Sequence, residues 1–261
     1  ESYEENRELR NIIIKLSPYG ITPNYCLRIY KKYKEKSIEI INKNPYRLAE
    51  EVRGIGFKIA DEIASKIGID KYSPDRIMQG ILFTLNQSLA NGHTYLPKRV
   101  LIEQSVKILG VESSFVEKGI MDLAYAQKVH LENKNGEILV YLMMYYICEN
   151  GVCKEIIKLS QHEIKDLHIN IDKEIKIVEK EDNINLAKNQ IEAVKEAINN
   201  GVTIITGGPG TGKTTTINTI IKIFENNDQK VVLCAPTGRA AKRMSETSNK
   251  EAKTIHRLLE M

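Results

Sequence analysis

Residues Gly207-Gly-Pro-Gly-Thr-Gly-Lys-Thr214 complete the pattern G-x-x-x-x-G-K-[ST], a turn whose backbone N–H groups can cradle phosphate oxygens. Just before it, Gly201-Val-Thr-Ile-Ile-Thr206 is a short, apolar, β-branched run that reads as a buried strand. Just after it, Thr214 to Phe224 has helical spacing, with Ile217, Ile220, Ile221 and Phe224 on one face. Strand, glycine-rich turn and helix are the setting this pattern requires. Gly207, Gly208, Pro209, Gly210, Thr211 and Gly212 would curl around a polyphosphate, and the helix N-terminus would add partial positive charge. Lys213 would reach the β- and γ-phosphates, and the Thr214 hydroxyl would bind Mg²⁺. A glycine-rich turn without a ligand is the alternative, and pattern and context together count against it. The expectation is a nucleoside triphosphate site.

The bulk numbers bound the rest. A chain of 261 residues accommodates two or three small domains. Hydrophobic residues make up 42% and charged residues 28%, and no run approaches the ~20 apolar residues of a membrane span. The start, Glu1-Ser-Tyr-Glu-Glu, lacks the basic and apolar regions of a signal peptide, so a cytoplasmic location is expected. Cys26, Cys148, Cys153 and Cys234 form no C-x-x-C pair and read as reduced, partly buried thiols, with neither a disulfide framework nor a zinc site. His130, His162 and His168 have no ligand partners at metal spacing and read as structural or surface residues. A net charge of +4 permits a nucleic-acid partner without demanding one. The chain does not start with methionine and stops on a helical pattern without a cap, so an internal piece of a longer polypeptide is expected.

Four segments follow from the patterning. Residues 1–72 read as short helices with glycine turns and contain a repeat: Tyr19-Gly-Ile-Thr-Pro-Asn-Tyr-Cys-Leu-Arg-Ile29 aligns with Arg53-Gly-Ile-Gly-Phe-Lys-Ile-Ala-Asp-Glu-Ile63, 34 residues on. Two copies without signature aromatics cannot make a tetratricopeptide solenoid. A tandem helix-hairpin-helix fits better, its hairpin N–H groups meeting a DNA phosphate. Asn44 and Pro45 set up the helix entering the second hairpin, Gly54-Ile-Gly56 forms it, and Phe57 to Ile67 leaves it. Gly54, Gly56 and Lys58 are the candidate phosphate contacts; a plain helix–helix turn is the competing description. In the first copy Thr22 replaces the second glycine, which suits a structural role. Arg28, Lys31, Lys32, Lys34 and Lys36 form a basic helix whose default reading is a solvated face.

Residues 73–145 read as a winged helix: helices over Asp75 to Ala90, Pro97 to Leu109 and Ser113 to Ala126, then a hairpin turning at Asn133-Lys-Asn-Gly136. Such modules bind duplexes or serve as spacers, and no residue here decides between these. Residues 146–180 read as a linker helix, with the linking helical run over Met143 to Leu159, and 181–261 as part of an α/β P-loop domain.

Three features flank the phosphate loop. Gln190 lies on a helix starting near Asn185, and its amide matches the donor–acceptor edge of adenine, although a lone glutamine is ordinarily a surface residue. Lys230-Val-Val-Leu-Cys234 reads as a strand leading into Ala235-Pro-Thr-Gly-Arg-Ala-Ala-Lys-Arg-Met244, where Thr237, Gly238, Arg239, Lys242 and Arg243 could meet a DNA phosphate. Lys253-Thr-Ile-His-Arg-Leu258 follows, with His256.

In this order and spacing, these motifs closely resemble the RecD-like helicases of superfamily 1. Asn44-Pro-Tyr-Arg-Leu-Ala-Glu50, Gly54-Ile-Gly-Phe-Lys-Ile-Ala-Asp61 and Gly92-His-Thr-Tyr-Leu-Pro97 resemble the long-form members, which carry helix-hairpin-helix units ahead of a RecA-like motor. The resemblance implies an ATP-driven motor that tracks 5′ to 3′ along single-stranded DNA and opens single-strand/duplex junctions. It also implies that Gln190 reads adenine, that Gly208 to Thr215 hold the phosphates and Mg²⁺, and that Thr237, Gly238 and His256 line the single strand. Protein partners are not implied. Family members continue with an acidic Mg²⁺-binding motif and a second RecA-like domain that supplies arginines to the γ-phosphate. A DNA-binding adaptor with a non-hydrolysing P-loop is the alternative, against which the intact Lys213-Thr214 speaks. A relaxase-linked helicase domain shares the A-P-T-G-R-A-A type of motif, but the hairpin repeat counts against it.

An arginine supplied to the γ-phosphate is worth ~10³ to 10⁵ in rate. The 261 residues alone are therefore expected to bind nucleotide weakly and turn it over negligibly. Rapid DNA-stimulated ATP hydrolysis by this chain in a steady-state assay would contradict that.

Overall fold

The computed structural model describes residues 2–161 and 169–260, with side chains from residue 7 onward. His162 and His168 lie outside the described residues. The chain divides into two compact units, Glu1–Asn150 and Gly151–Met261.

The first unit opens with α1 (Ser2–Leu16), α2 (Pro23–Tyr33), α3 (Ser37–Lys43), α4 (Arg47–Glu51) and α5 (Phe57–Ile67). Both halves of the 34-residue repeat have the same local form. A glycine in the left-handed region ends the incoming turn (Gly20 φ +76, Gly54 φ +88), a buried isoleucine follows (Ile21, Ile55), and a helix begins two residues later. The isoleucines belong to one apolar core with Leu16, Cys26, Ile29, Ile41, Leu48 and Ile63, so burial of that residue type holds each hairpin in place. Asn44 acts slightly differently from a helix cap. Its Oδ1 accepts from the Tyr46 N–H at 3.0 Å, stabilising a turn, and α4 starts at Arg47.

Next come α6 (Pro74–Ala90), β1 (Tyr95–Pro97), α7 (Lys98–Leu109), α8 (Ser113–Tyr125), β2 (Val129–Lys134), β3 (Glu137–Leu142) and α9 (Met143–Ser160). The strands form an antiparallel sheet in the order β1-β3-β2, with Tyr95 opposite Tyr141 and His130 opposite Tyr141. This is the three-helix-and-wing arrangement expected for the segment. The three-residue β1 was not expected; it is too short to show alternation and exists because β3 offers it a free edge. His130 stacks on Tyr146 with ring centroids 3.6 Å apart, a packing role.

Helices α6 to α8 close on a second core that also takes in Tyr46, Phe57, Ala60 and Ala64 from the hairpin segment. A polar network crosses the same boundary. The Arg76 guanidinium makes two hydrogen bonds to Asp61, from Nε at 2.7 Å and Nη2 at 3.1 Å, while Nη1 donates to the Lys71 and Leu109 carbonyls at 3.0 Å. The buried Tyr46 hydroxyl donates to the same Asp61 at 2.7 Å. Burial, and then Asp61, push the Tyr46 phenol well above its ordinary pKa.

In the second unit, α10 (Ile171–Asp182) and α11 (Lys188–Asn199) pack on α12 (Lys213–Asn226) around Ile175, Val178, Val194, Ile198 and Ile223. There follow β4 (Leu233–Ala235), α13 (Gly238–Ser248), β5 (Ala252–Thr254) and α14 (Ile255–Leu258), with β4 and β5 parallel. The helical face expected on α12 is partly corrected. Ile221 is buried and Ile220 and Phe224 pack on the core, but Ile217 is exposed, and Ile223 is fully buried.

Two other expectations fail. Residues 201–206 do not form a strand, and Ile204 is 84% exposed. Among the described residues neither β4 nor β5 pairs with this run, and an apolar segment without a hydrogen-bonded neighbour has no ladder to join. The cysteines are free, but only Cys26 is buried; Cys148, Cys153 and Cys234 are exposed. Among the described residues, no helix is long and apolar enough to cross a membrane.

Breaking a largely buried ion pair strands its partner, at a cost of roughly 3 kcal/mol. Arg76→Ala should therefore lower stability by about that amount, read as a lower urea midpoint, whereas Arg47→Ala, which breaks an exposed i,i+4 pair with Glu51, should move the midpoint far less.

Candidate nucleotide and nucleic-acid sites

The phosphate loop is built on backbone conformations that its glycines permit. Gly210 (φ +76) and Gly212 (φ +78) are left-handed, and Gly212 is the residue on which α12 starts. The Thr211 hydroxyl donates to the Gly208 carbonyl at 2.9 Å, and the Lys213 ammonium donates to the Gly207 and Gly208 carbonyls, each at 2.6 Å. Lys213 thus folds back over the loop, within reach of anything the loop encloses. The first-turn amides of α12, from Lys213 to Thr215, have no acceptor within the helix and are available to an anion. Thr214 is exposed, and the turn behind it is secured by Thr216, whose N–H and hydroxyl bond the Gly212 carbonyl at 3.0 and 3.2 Å.

Two clefts flank the loop. One, of about 1000 Å³, runs between α11 and residues 202–207 and is lined by Gln190, Ala193, Thr211 and Lys213. The other, of about 770 Å³, lies between α12 and α13 and is bordered by Pro209, Thr214, Ala240 and Arg243. Gln190 stands at the mouth of α11, with Oε1 accepting from the Ala187 N–H at 2.8 Å and Nε2 donating to the Gly212 carbonyl at 3.3 Å. The structure thus brings Gln190 and the phosphate loop together. A carboxamide has one further N–H and one further lone pair, so the adenine edge remains within its capacity.

The residues suggested for a DNA strand fall into two groups, one in each unit. In the second unit, β4 and β5 run parallel with Ala235 opposite Thr254, so Thr237 and His256 each follow that paired row by two residues. Thr237 caps α13 by accepting from the Ala240 N–H, and Thr254 caps α14 by accepting from the Arg257 N–H, both at 3.2 Å. Gly238, Arg239, Lys242, Arg243 and His256 are exposed. The Thr237 oxygen is therefore engaged as a cap, while its O–H can still donate to a phosphate oxygen, beside the N–H groups of the first turn and the flanking cations.

In the first unit, Gly54, Gly56 and Lys58 are exposed around the buried Ile55, with Gly56 capping α5. Arg28, read along the chain only as part of a basic, solvated helix, also comes here. Its Nη1 donates to the Arg53 carbonyl at 2.9 Å and fills the space over Gly54. Lys66 of α5 fills the space over Gly20, so each hairpin has a cation from the helix that leaves the other hairpin beside its glycine. A contact between residues 25 apart leaves no local signature. Among the described residues no group of three acidic, histidine or cysteine side chains could hold a metal; a Mg²⁺ here would rely on Thr214 and on phosphate oxygens.

Parts of the chain match two family models and several known proteins. A model described as the ATP-dependent RecD2 DNA helicase HHH domain matches residues 5–95, and one described as an AAA domain matches residues 190–261. The chain is 29% identical to the ATP-dependent RecD2 DNA helicase of Deinococcus radiodurans over 96% of its own length and 36% of that protein's. It is 29% identical to an uncharacterized protein of Methanocaldococcus jannaschii, over 98% of this chain and 25% of the other. The RecBCD enzyme subunit RecD of Mycobacterium tuberculosis is 36% identical over 27% of this chain and 16% of that subunit. The chain thus spans about a third or less of the length of these relatives.

Losing an N-cap costs about 1 kcal/mol. Thr237→Ala should therefore lower the stability of the second unit by that amount with no nucleic acid present, measured by thermal or urea unfolding. An unchanged stability would show that the hydroxyl does not hold this turn.

Proposed function

We propose that the chain belongs with the RecD-like ATP-dependent DNA helicases and is part of an ATP-driven motor that moves 5′ to 3′ along single-stranded DNA and opens single-strand/duplex junctions. The observation that carries this reading is the convergence of Gln190, the left-handed Gly212 and the first turn of α12 on one loop. That arrangement suits an adenine nucleotide whose phosphates meet backbone N–H groups. ATP with Mg²⁺ is the ligand this donor set fits: Gly207 to Gly212 supply the cradle, Lys213 and Thr215 the cation and a further amide, and Thr214 a hydroxyl for the metal. Bound ATP supplies the free energy of phosphoryl transfer, and the chain's own residues position it.

The DNA contacts follow from the edge geometry. Thr237, Gly238, Arg239, Lys242 and His256, beyond the carboxyl ends of two parallel strands, form the single-strand surface through first-turn amides and flanking cations. Gly54, Gly56 and Lys58 form a separate, sequence-independent phosphate contact. We assign residues 1–72 and 73–145 to the hairpin and winged-helix domains, 146–180 to a linker whose last helix, α10, packs on the core of the second unit, and 181–261 to the motor domain, in a cytoplasmic protein.

The test is ATP-dependent unwinding by the intact gene product on duplexes bearing a 5′ or a 3′ single-stranded tail. Unwinding from the 5′ tail alone, abolished by Lys213→Ala, is the expected result. DNA binding without unwinding on either tail would replace the motor with a DNA-binding adaptor.

A further inference from the structure

Gln190 makes a contact that reading a base does not require. Its Nε2 donates to the carbonyl of Gly212, the residue from which α12 departs, and a Cβ at Gly212 would run into that same nitrogen. Its Oε1 is held by the Ala187 N–H at 2.8 Å, so the amide is anchored on α11 while it reaches the loop. We propose that Gln190 is a positioning residue for the phosphate loop, in addition to any contact with adenine. The proposal rests on the reading of residues 207–215 as a polyphosphate site.

The physical link is a single peptide plane. The Gly212 carbonyl and the Lys213 N–H belong to one trans peptide, so orienting the oxygen orients the N–H in the opposite direction. Three donors converge on that oxygen: the Thr216 N–H, the Thr216 hydroxyl and the Gln190 amide. The first two come from α12 itself and move with it. Gln190 alone comes from another helix, and so refers the loop to the fixed frame of α11. The remaining N–H and lone pair of the amide are what an adenine edge needs. A base bound there and the geometry of the phosphate cradle are therefore coupled through one side chain.

The two roles separate when the ligand has no base. Binding of inorganic tripolyphosphate with Mg²⁺, of ATP and of GTP would be measured by calorimetry on the intact protein and on two variants. Gln190→Met is uncharged and similar in size but bonds neither partner. Gln190→Glu keeps the acceptor for the Ala187 amide, and with it the start of α11, but cannot donate to Gly212. High salt screens its added charge.

Loss of one hydrogen bond should weaken tripolyphosphate by about three- to tenfold in both variants at high salt. If Gln190→Met proves unfolded by circular dichroism, the Glu variant decides alone. Unchanged tripolyphosphate affinity, with only the preference for ATP over GTP lost, would show a base reader and overturn the proposal. Wild-type protein that binds neither ATP nor tripolyphosphate would overturn the nucleotide site itself, and this proposal with it.

Discussion

Gly212 leaves the phosphate loop at φ +78, and the helix that follows starts in the direction this conformation sets. An L side chain there would be strained, and it would also collide with the Gln190 amide. With glycine in place, the Gly212 carbonyl gathers bonds from Thr216 and Gln190, and the first-turn amides of α12 stay unpaired. Those amides, together with the Lys213 ammonium folded over Gly207 and Gly208, are the groups a polyphosphate needs. The second hairpin of the first unit solves a similar problem with Gly54 at φ +88, two residues ahead of the N-cap of α5. Both places expose the start of a helix by means of a turn that glycine tolerates at little cost.

The two sites are supported by different physics. The hairpins rest on apolar burial: Ile21 and Ile55 plug one core, and a cation from the helix that leaves the other hairpin sits above each glycine. The join between the hairpin segment and the winged helix adds a polar network centred on Asp61 and Arg76. Buried ion pairs are weak sources of net stability, but removing one partner is costly, so this network penalises any other register between α5 and α6. The phosphate loop, by contrast, is exposed, and its order comes from its own hydrogen bonds and from α11.

Much of this was legible along the chain. The helices α5 to α9, the β2–β3 hairpin and the tandem repeat follow from 3.6-residue and two-residue periodicities and from glycine turns. The phosphate loop, Gln190 and the segment around Thr237 follow from motif spacing. The misreadings have one common cause: they concern properties that depend on neighbours distant in sequence. Ile204 belongs to a β-branched run with every local mark of a strand, yet no partner pairs with it among the described residues. Ile217 and Ile223 exchange places because the core that covers α12 comes from α10 and α11.

The amino-acid sequence by itself determined the element types and the loop chemistry, because these are set by residue type at short, regular spacing. Tertiary structure decided which groups meet: Gln190 with Gly212, Arg28 with the second hairpin, and Arg76 with Asp61 and Leu109, while the pairing of β4 with β5 puts Thr237 and His256 beyond the same end of two parallel strands. Such encounters arise from helix packing and strand pairing between residues that are tens of positions apart. Local periodicity records that a face is apolar or that a turn is tight; it carries no information about which distant side chain will come to rest against it.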